Sequence, residues 1–320
     1  MKAYITGGTG FVGSNIVKVF TDRHGAEVVC PVHRYVPEAP SYQVERLDLL
    51  DGDAARSSVQ AASPDVIVHS MILNDFATIY ADRNLAWDAY VGTTATLADA
   101  AAEVGAKFVL VSTDWVFDGT QVGAAEDTAP NPINYYGVLK LASEQVALSR
   151  APGAAVARVS GVNGVHWARP TTERAQDCGF GYFVASMVDA LSAGEPFTVW
   201  ESDDINMVAT PSLASQCGEL IHRMAARPGA HGIFHCCGAE PTGRRALAEA
   251  ACVAFGLDAS LLRSGPPDPD SMPGAPIPYD TSLSVGRTAD ILGLAPLATA
   301  ELLDRFRLEV ETGELDGGHP

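Results

Sequence analysis

A tyrosine and a lysine stand four residues apart in the stretch NYYGVLKLASEQVALSR, as Tyr136 and Lys140. Residues at this spacing share one face of a helix. A tyrosine must give or lose a proton near neutral pH to serve hydride chemistry, although its free pKa is about 10, and a nearby cation favours the phenolate. Chance would produce such a pair only roughly 0.1 times in a chain of this composition. Tyr135 has no lysine at the same spacing, so we expect it to pack.

Two hydroxyl residues, Ser112 and Thr113, end the apolar run KFVLVSTDWVF, which is typical of a strand. A hydroxyl placed beside the phenol would hold a carbonyl oxygen during proton transfer. Either residue can also be an ordinary strand residue, and without Tyr136 the two interpretations weigh the same.

Four glycines follow the first apolar run in MKAYITGGTGFVGSNIVKVF and satisfy both G-x-G-x-x-G and G-x-x-G-x-x-G. In such a turn one glycine makes the bend, one lets a pyrophosphate approach the backbone, and one lets the helix pack on the strand. A strand before the turn and a helix after it favour a dinucleotide site over a purely structural turn. The expected coenzyme residues here are Gly7, Gly10, Phe11, Val12 and Gly13.

The end of the second strand bears on which dinucleotide would bind. An NAD site wants a carboxylate about 20 residues after the glycines, but no acid lies among residues 30–35, where His33 and Arg34 stand instead. Arg34 can pair with a 2′-phosphate, so we expect NADP(H) to be preferred, with NAD(H) possible; the alternative is a solvated arginine. Asp48 and Leu49 lie where a loop reaches the adenine, unless Asp48 is only a polar loop acid.

Strand-like and helix-like runs alternate through the first half of the chain. Fully apolar strands in such an order predict an α/β fold, a Rossmann-type doubly wound parallel sheet covered on both faces. Right-handed crossovers then place the carboxyl ends of the strands at one edge, where ligands bind. We expect a dinucleotide-binding domain over residues 1–160 and a smaller, irregular substrate-binding lobe over 161–320, from which segments at about 212–238 return to the sheet.

Composition narrows the function classes. The chain has 320 residues, is 47% hydrophobic and carries a formal net charge of −18, which disfavours nucleic acid and anionic membranes as partners. A small-molecule substrate is expected. Six cysteines without C-x-x-C spacing are typical of buried reduced thiols, and no signal peptide or apolar run of membrane-spanning length is evident, so we expect a cytoplasmic protein.

The stretches TGGTGFVG, PDVIVHS, STDWVFDG and NPINYYGVLK together resemble the extended short-chain dehydrogenase/reductases over nearly their whole length. Within that superfamily STDWVFDG, ARVSGV and GFGYFV are similar to the dTDP-4-dehydrorhamnose reductase branch. The resemblance implies a triad in which Thr113 orients a carbonyl, Tyr136 donates the proton, and Lys140 binds the nicotinamide ribose and tunes the phenol.

Two departures from that branch border the expected nicotinamide pocket. His69, Ser70 and Met71 stand where alanines are usual, and Tyr90 stands where an asparagine is expected. His69, Ser70 and Met71 remain candidate coenzyme contacts. The candidate substrate contacts are Ser112, Asp114, Trp115 and Arg158, and for Arg158 a structural salt bridge is an equal alternative.

The leading functional hypothesis is an NAD(P)H-dependent reductase of a keto group on a nucleotide-linked deoxysugar. Dehydratases of the superfamily place an Asp-Glu pair after the threonine, whereas this chain has Asp114-Trp115, which argues against dehydration. An NAD-dependent epimerase and a ketoreductase of a non-nucleotide metabolite are alternatives. A non-enzymatic alternative is a regulatory subunit like that of methionine adenosyltransferase. The resemblance also implies a homodimer.

Overall fold

A parallel sheet, built mainly from the first half of the chain, lies at the centre of this computed structural model, which describes residues 1–38, 40–73, 75–172 and 174–316. Glu173 of the irregular segment after residue 160 and the last four residues of the expected substrate-binding lobe lie outside the described residues. Within that part, the strands are β1 Lys2–Thr6, β2 Glu27–Val32, β3 Gln43–Arg46, β4 Val66–His69, β5 Lys107–Thr113, β6 Ala155–Val159, β7 Val162–Asn163, β8 Phe197–Trp200, β9 Val208–Ala209, β10 Ser212–Leu213, β11 Gly232–Cys236, β12 Thr242–Gly243 and β13 Leu262–Gly265.

Seven of the described strands form the sheet in the order β11-β6-β5-β4-β1-β2-β3, and every neighbouring pair is parallel. This order, with its reversal beside β1, is that of a doubly wound sheet, so the predicted fold class is confirmed. The reversal places the ends of β1 and β4 side by side. The β11 strand comes from the second half of the chain and extends the sheet beside β6.

Helices cover both faces of the sheet and build the second lobe. They are α1 Phe11–Lys18, α2 Gly52–Ala62, α3 Phe76–Ala81, α4 Arg83–Trp87, α5 Thr93–Val104, α6 Tyr135–Arg150, α7 Phe183–Ser192, α8 Ala214–Ala226, α9 Arg244–Phe255, α10 Gly286–Leu292 and α11 Thr299–Thr312. π-Helical turns at Val19–Arg23 and Asp88–Gly92 follow α1 and α4. The sequence pattern does not predict α2, α9, β3 or β8.

Strand residues alternate between two buried faces. Ile5, Val68 and Val111 pack with α1 and α8 on one face, and Tyr4 and Ile67 pack against helices on the other. A third apolar cluster lies in the second lobe, where α7, α9 and α11 meet β8. All six cysteines are buried free thiols. Within the described residues, no helix has both the length and the apolar character required to cross a bilayer.

The helix α6 is fixed at its start by local contacts. The Asn134 side chain accepts a hydrogen bond from the Gly137 backbone N–H at 2.8 Å, which satisfies a free donor of the first turn. A Cβ at Gly137 would lie 2.3 Å from the Trp115 carbonyl oxygen, so only glycine allows the helix to approach the residues after β5 so closely. Tyr135 packs against Tyr80, as expected, with ring centroids 6.2 Å apart.

A fully buried ion pair ties the middle of α6 to the sheet. Arg158 on β6 donates from Nε and Nη2 to the two carboxylate oxygens of Glu144 at 3.0 and 2.7 Å. Ser112 on β5 donates to the same carboxylate at 2.5 Å. Both charged side chains have 0% exposure, so each charge depends on the other for compensation.

We predict that Glu144→Gln lowers the free energy of unfolding by about 3–5 kcal/mol, because it leaves the Arg158 guanidinium buried without a counter-charge. The matched control is Glu249→Gln, which breaks the exposed pair with Arg245 and should cost no more than about 1 kcal/mol. Urea unfolding of both variants measures the difference. Equal losses would show that the buried pair does not anchor α6.

Candidate coenzyme and catalytic site

The glycine turn between β1 and α1 is closed so tightly that no Cβ fits at Gly7 or Gly13. Gly7 has φ +69°, and the Gly10 N–H donates to the Gly7 carbonyl at 2.8 Å. A Cβ at Gly13 would lie 2.0 Å from that carbonyl oxygen. Gly10 caps α1 without a side-chain hydrogen bond, and no acid occupies the first turn, so the backbone N–H groups are free of negative competitors. Phe11 and Val12 begin the helix at this point.

The end of β4 forms the floor beneath that turn. A Cβ at Gly7 would lie 2.6 Å from the Met71 backbone nitrogen, and Ser70 donates to the Thr6 carbonyl at 2.7 Å. His69 Nδ1 and the Thr6 hydroxyl are 2.7 Å apart. Burial, assisted by the Lys140 charge, lowers the pKa of His69 to about 3, so the imidazole is neutral. His69, Ser70 and Met71, which depart from the family pattern, therefore contact the glycine turn or Thr6 just before it.

The residues expected at the adenosine end lie together beside β2. His33 and Arg34 are both exposed, and His33 Nε2 lies 3.8 Å from an Asp48 carboxylate oxygen. Leu49 packs its side chain into the core, so only its backbone faces this region.

Next to this region, Tyr35 contacts a segment of the second half of the chain that the sequence does not predict to lie there. The Tyr35 hydroxyl donates to the Ala168 carbonyl at 2.9 Å, and the Arg169 guanidinium lies 4.3 Å above the Tyr35 ring. A segment of the second half thus reaches the end of β2.

Tyr136 occupies the first turn of α6 beside the end of β5. Burial raises the pKa of Tyr136 to about 12; the Thr113 hydroxyl opposes this shift and the Asp114 charge adds to it. The Tyr136–Lys140 spacing predicts a cation that favours the phenolate, but desolvation is the largest influence on this pKa and raises it. The phenol therefore stays protonated at neutral pH, which is the form that can donate a proton.

Lys140 lies one turn further along α6 and is 4% exposed. Its ammonium donates to the Val111 carbonyl at 2.6 Å and lies 5.9 Å from the Tyr90 ring centroid. Burial lowers the pKa of Lys140 to about 8, and the Glu144 carboxylate counteracts part of that shift. This hydrogen bond thus fixes the Lys140 ammonium beside β5, near the carboxyl end of that strand.

An aromatic enclosure surrounds the Tyr136 ring. The centroids of Phe76, Tyr90 and Trp115 lie 5.7, 6.0 and 6.0 Å from it. The Tyr90 hydroxyl donates to the Leu73 carbonyl at 2.9 Å, so it is already satisfied inside the protein. Phe76 lies on the short helix α3, and its sequence surroundings carry no pattern that would have singled it out.

The four candidate substrate residues separate into two groups. Trp115 faces Tyr136, and Asp114 is buried beside it; burial raises the pKa of Asp114 to about 6 against the hydrogen bonds that its carboxylate accepts. Ser112 and Arg158 instead point to Glu144 in the buried ion pair. This geometry favours the structural interpretation of Arg158 over a contact with substrate.

A loop of the second lobe approaches the start of α1. Tyr182 has φ +56°, and its ring centroid lies 4.8 Å from that of Phe11. The buried Arg244 donates to the backbone carbonyls of Asp177, Cys178 and Gly179, which fixes this loop. Arg244 is the first residue of α9, a helix that the sequence pattern does not predict.

Comparisons with known proteins relate most of the chain to one family. The family model described as RmlD substrate binding domain matches residues 1–306. Methionine adenosyltransferase 2 subunit beta from Xenopus tropicalis is 31% identical over 291 residues, which cover 91% of this chain and 82% of that protein. A probable low-salt glycan biosynthesis reductase from Haloferax volcanii is 27% identical over 267 residues, covering 82% of this chain and 83% of that protein.

Solved structures show the same fold. A dTDP-4-dehydrorhamnose reductase from Bacillus anthracis, in complex with NADP, aligns with a TM-score of 0.75 and 21% identity over 96% of this chain and 99% of that one. A UDP-glucose 4-epimerase from Thermotoga maritima aligns with a TM-score of 0.76 and 17% identity over 98% and 100%. At these identities the likeness concerns the fold alone.

We predict that Gly13→Ala lowers the free energy of unfolding by about 1–3 kcal/mol, because the new methyl group meets the Gly7 carbonyl and the turn must open. In Gly274→Ala, the control, the added Cβ would meet nothing within 4 Å, so stability should change by less than about 1 kcal/mol. Urea unfolding compares the two. An unchanged Gly13→Ala protein would mean that the turn is looser than its contacts indicate.

Proposed function

The chain belongs to the RmlD substrate binding domain family, within the extended short-chain dehydrogenase/reductases, and from this premise we propose that it is an NAD(P)H-dependent ketoreductase. One observation carries the proposal: Tyr136, Lys140 and Thr113 converge at the sheet edge next to the turn in which no Cβ fits at Gly7 or Gly13. A protonated phenol close to the backbone N–H groups of a helix start is the combination that carbonyl reduction with a dinucleotide coenzyme needs.

The residues present fit a nicotinamide coenzyme. The Gly7 and Gly13 positions leave no room for a Cβ, and the free N–H groups at the start of α1 suit a diphosphate. Bound there, the coenzyme would supply the hydride. Lys140 would hold the nicotinamide ribose, and Arg34 would meet a 2′-phosphate, so we propose a preference for NADP(H) over NAD(H).

The protein's own side chains would handle the proton. Tyr136, protonated at neutral pH, would donate to the keto oxygen as the hydride adds to the carbon. Thr113 would hold that oxygen in place, and the two hydroxyls together would stabilise its developing negative charge. The absence of an Asp-Glu pair after Thr113 removes the base that an elimination would need.

For the substrate we propose a keto group on a nucleotide-linked deoxysugar. The family and the reductase from Haloferax volcanii support a sugar-related substrate. The aromatic enclosure of Phe76, Tyr90 and Trp115 offers apolar faces on which a sugar ring can pack. The changed residues at Met71 and Tyr90 leave a non-nucleotide ketone as the alternative.

A regulatory role is a second candidate, favoured by the 31% identity to methionine adenosyltransferase 2 subunit beta. In that case the coenzyme site would have a structural role. An epimerase, which keeps its NAD through turnover, is less consistent with Arg34 at the ribose end.

We further propose a cytoplasmic homodimer. Two exposed apolar side chains, Trp87 on α4 and Val138 on α6, support a contact between two copies of the chain.

We predict that Tyr136→Phe reduces kcat for keto-sugar reduction by about 10²–10⁴-fold, because the proton donor is lost. The control is Tyr135→Phe, whose hydroxyl donates instead to the Arg83 carbonyl at 3.1 Å and which should retain its rate. NADPH consumption with a panel of keto-sugars measures both. Turnover that survives in Tyr136→Phe would reject the assigned role, and tight partner binding without turnover in the wild type would favour the regulatory candidate.

We predict that Arg34→Ala weakens NADPH binding by about 1.5–3 kcal/mol, while NADH binding changes little, because only NADPH carries a 2′-phosphate for the guanidinium. Arg263→Ala removes another exposed arginine, on β13, and serves as the control. Fluorescence titrations with both coenzymes provide the measurement. Equal losses for NADPH and NADH would show that Arg34 does not touch the 2′-phosphate.

A further inference from the structure

The Asp114 carboxylate joins the two halves of the protein directly behind Thr113. It is 5% exposed and accepts hydrogen bonds from three hydroxyl groups. Thr113 donates to Oδ1 at 3.0 Å, while Ser160 and Thr281 donate to Oδ2 at 2.8 and 2.5 Å. These donors come from the end of β5, from the residue after β6 and from the second lobe.

The hydroxyl protons of Ser160 and Thr281 have fixed directions. The Ser160 oxygen accepts from the Thr210 backbone N–H at 3.3 Å, and the Thr281 oxygen accepts from the Asn206 side-chain amide at 2.9 Å. Each hydroxyl therefore has its own proton free for Asp114. Because Oδ2 accepts two hydrogen bonds, a proton on this carboxyl group belongs on Oδ1, the oxygen that faces Thr113.

Thr113 has a single proton to give, and its direction depends on Asp114. The Trp115 backbone N–H already donates to the Thr113 oxygen at 3.2 Å. When Asp114 is ionised, the Thr113 proton is committed to Oδ1, and the hydroxyl can only accept a further hydrogen bond. When Oδ1 carries a proton, it donates to Thr113 and releases the Thr113 proton toward a ligand.

We propose that Asp114 is a positioning residue that directs the Thr113 hydroxyl: in its protonated form it turns the Thr113 proton toward the keto oxygen, and in its ionised form it withholds that proton. The inference rests on the proposed reductase function. Asp114 keeps its proton through the reaction. The new C–H bond takes the hydride, the new O–H bond takes the Tyr136 proton, and solvent returns a proton to Tyr136.

The surroundings of Asp114 allow it to titrate in an accessible range. Burial raises its pKa to about 6, against the lowering effect of the three hydroxyl donors. Of the titratable groups that face it, Tyr136 on α6 has a pKa of about 12, and burial raises the pKa of Cys237, after β11, well above its usual value, so both stay neutral. The donating form of Thr113 thus prevails below about pH 6 and is lost as the pH rises.

The decisive variant is Asp114→Asn. The fixed protons of Ser160 and Thr281 require an oxygen opposite them, so the amide NH2 must face Thr113 and donate to it permanently. We expect kcat/KM of the wild type to fall by about tenfold per pH unit above pH 6 and the Asp114→Asn profile to be flat. At pH 8, two units higher, the variant would then exceed the wild type by up to about 100-fold.

Two further variants complete the test. Thr113→Val should lose activity at every pH, and adding Asp114→Asn to it should restore nothing, since Asp114 acts through Thr113. Thr281→Val removes one donor to Oδ2 and should move the descending limb to higher pH; it also serves if Asp114→Asn does not fold, as circular dichroism would report. The inference is overturned, while the proposed function stands, if Asp114→Asn keeps the wild-type pH profile. The same conclusion follows if Asp114→Asn loses activity equally at every pH, to the level of Thr113→Val. A wild type that reduces no keto-sugar overturns the proposed function and this inference with it.

Discussion

Three consecutive residues at the end of β5 hold the site together, because each has a different partner. Ser112 donates to the Glu144–Arg158 pair and so fixes α6 to the sheet. Thr113 lies beside Tyr136, and Asp114 collects hydroxyl donors from the second lobe. The strand ends at Thr113 and the chain turns at Asp114–Val116, so this short segment contacts α6 through Ser112 and Thr113 and the second half of the chain through Asp114.

Electrostatics around this segment differ sharply from those of the whole chain. The net charge of −18 repels anions at long range, whereas the glycine turn presents backbone N–H groups and no carboxylate in the first turn of α1. Lys140 adds a buried positive charge beneath the sheet edge. Attraction for a phosphate-bearing ligand is therefore built from dipoles and one ammonium rather than from the overall charge.

The parts of the fold that local rules govern could be read from the sequence. The turn at Gly7 and Gly13 follows from backbone space alone, and the shared face of Tyr136 and Lys140 follows from helix periodicity, so both could be recognised. Phe76, Tyr182 and Arg244 reach the site from segments distant in sequence, and their positions depend on tertiary packing. For Tyr136, the spacing predicted a cation nearby but could not predict that desolvation would dominate its pKa.

Burying polar groups costs free energy, and the place where such groups lie in this protein helps to decide between the functional candidates. Lys140 and Asp114 both lose hydration on folding, and each has a pKa displaced in the direction that burial dictates. A fold that needed only stability would be served equally well or better by apolar side chains at such positions. These costly groups instead lie together beside Thr113 and Tyr136, at the edge where the glycine turn leaves its backbone bare. That coincidence is expected of a site that moves protons, and a purely structural dinucleotide-binding domain would not require it.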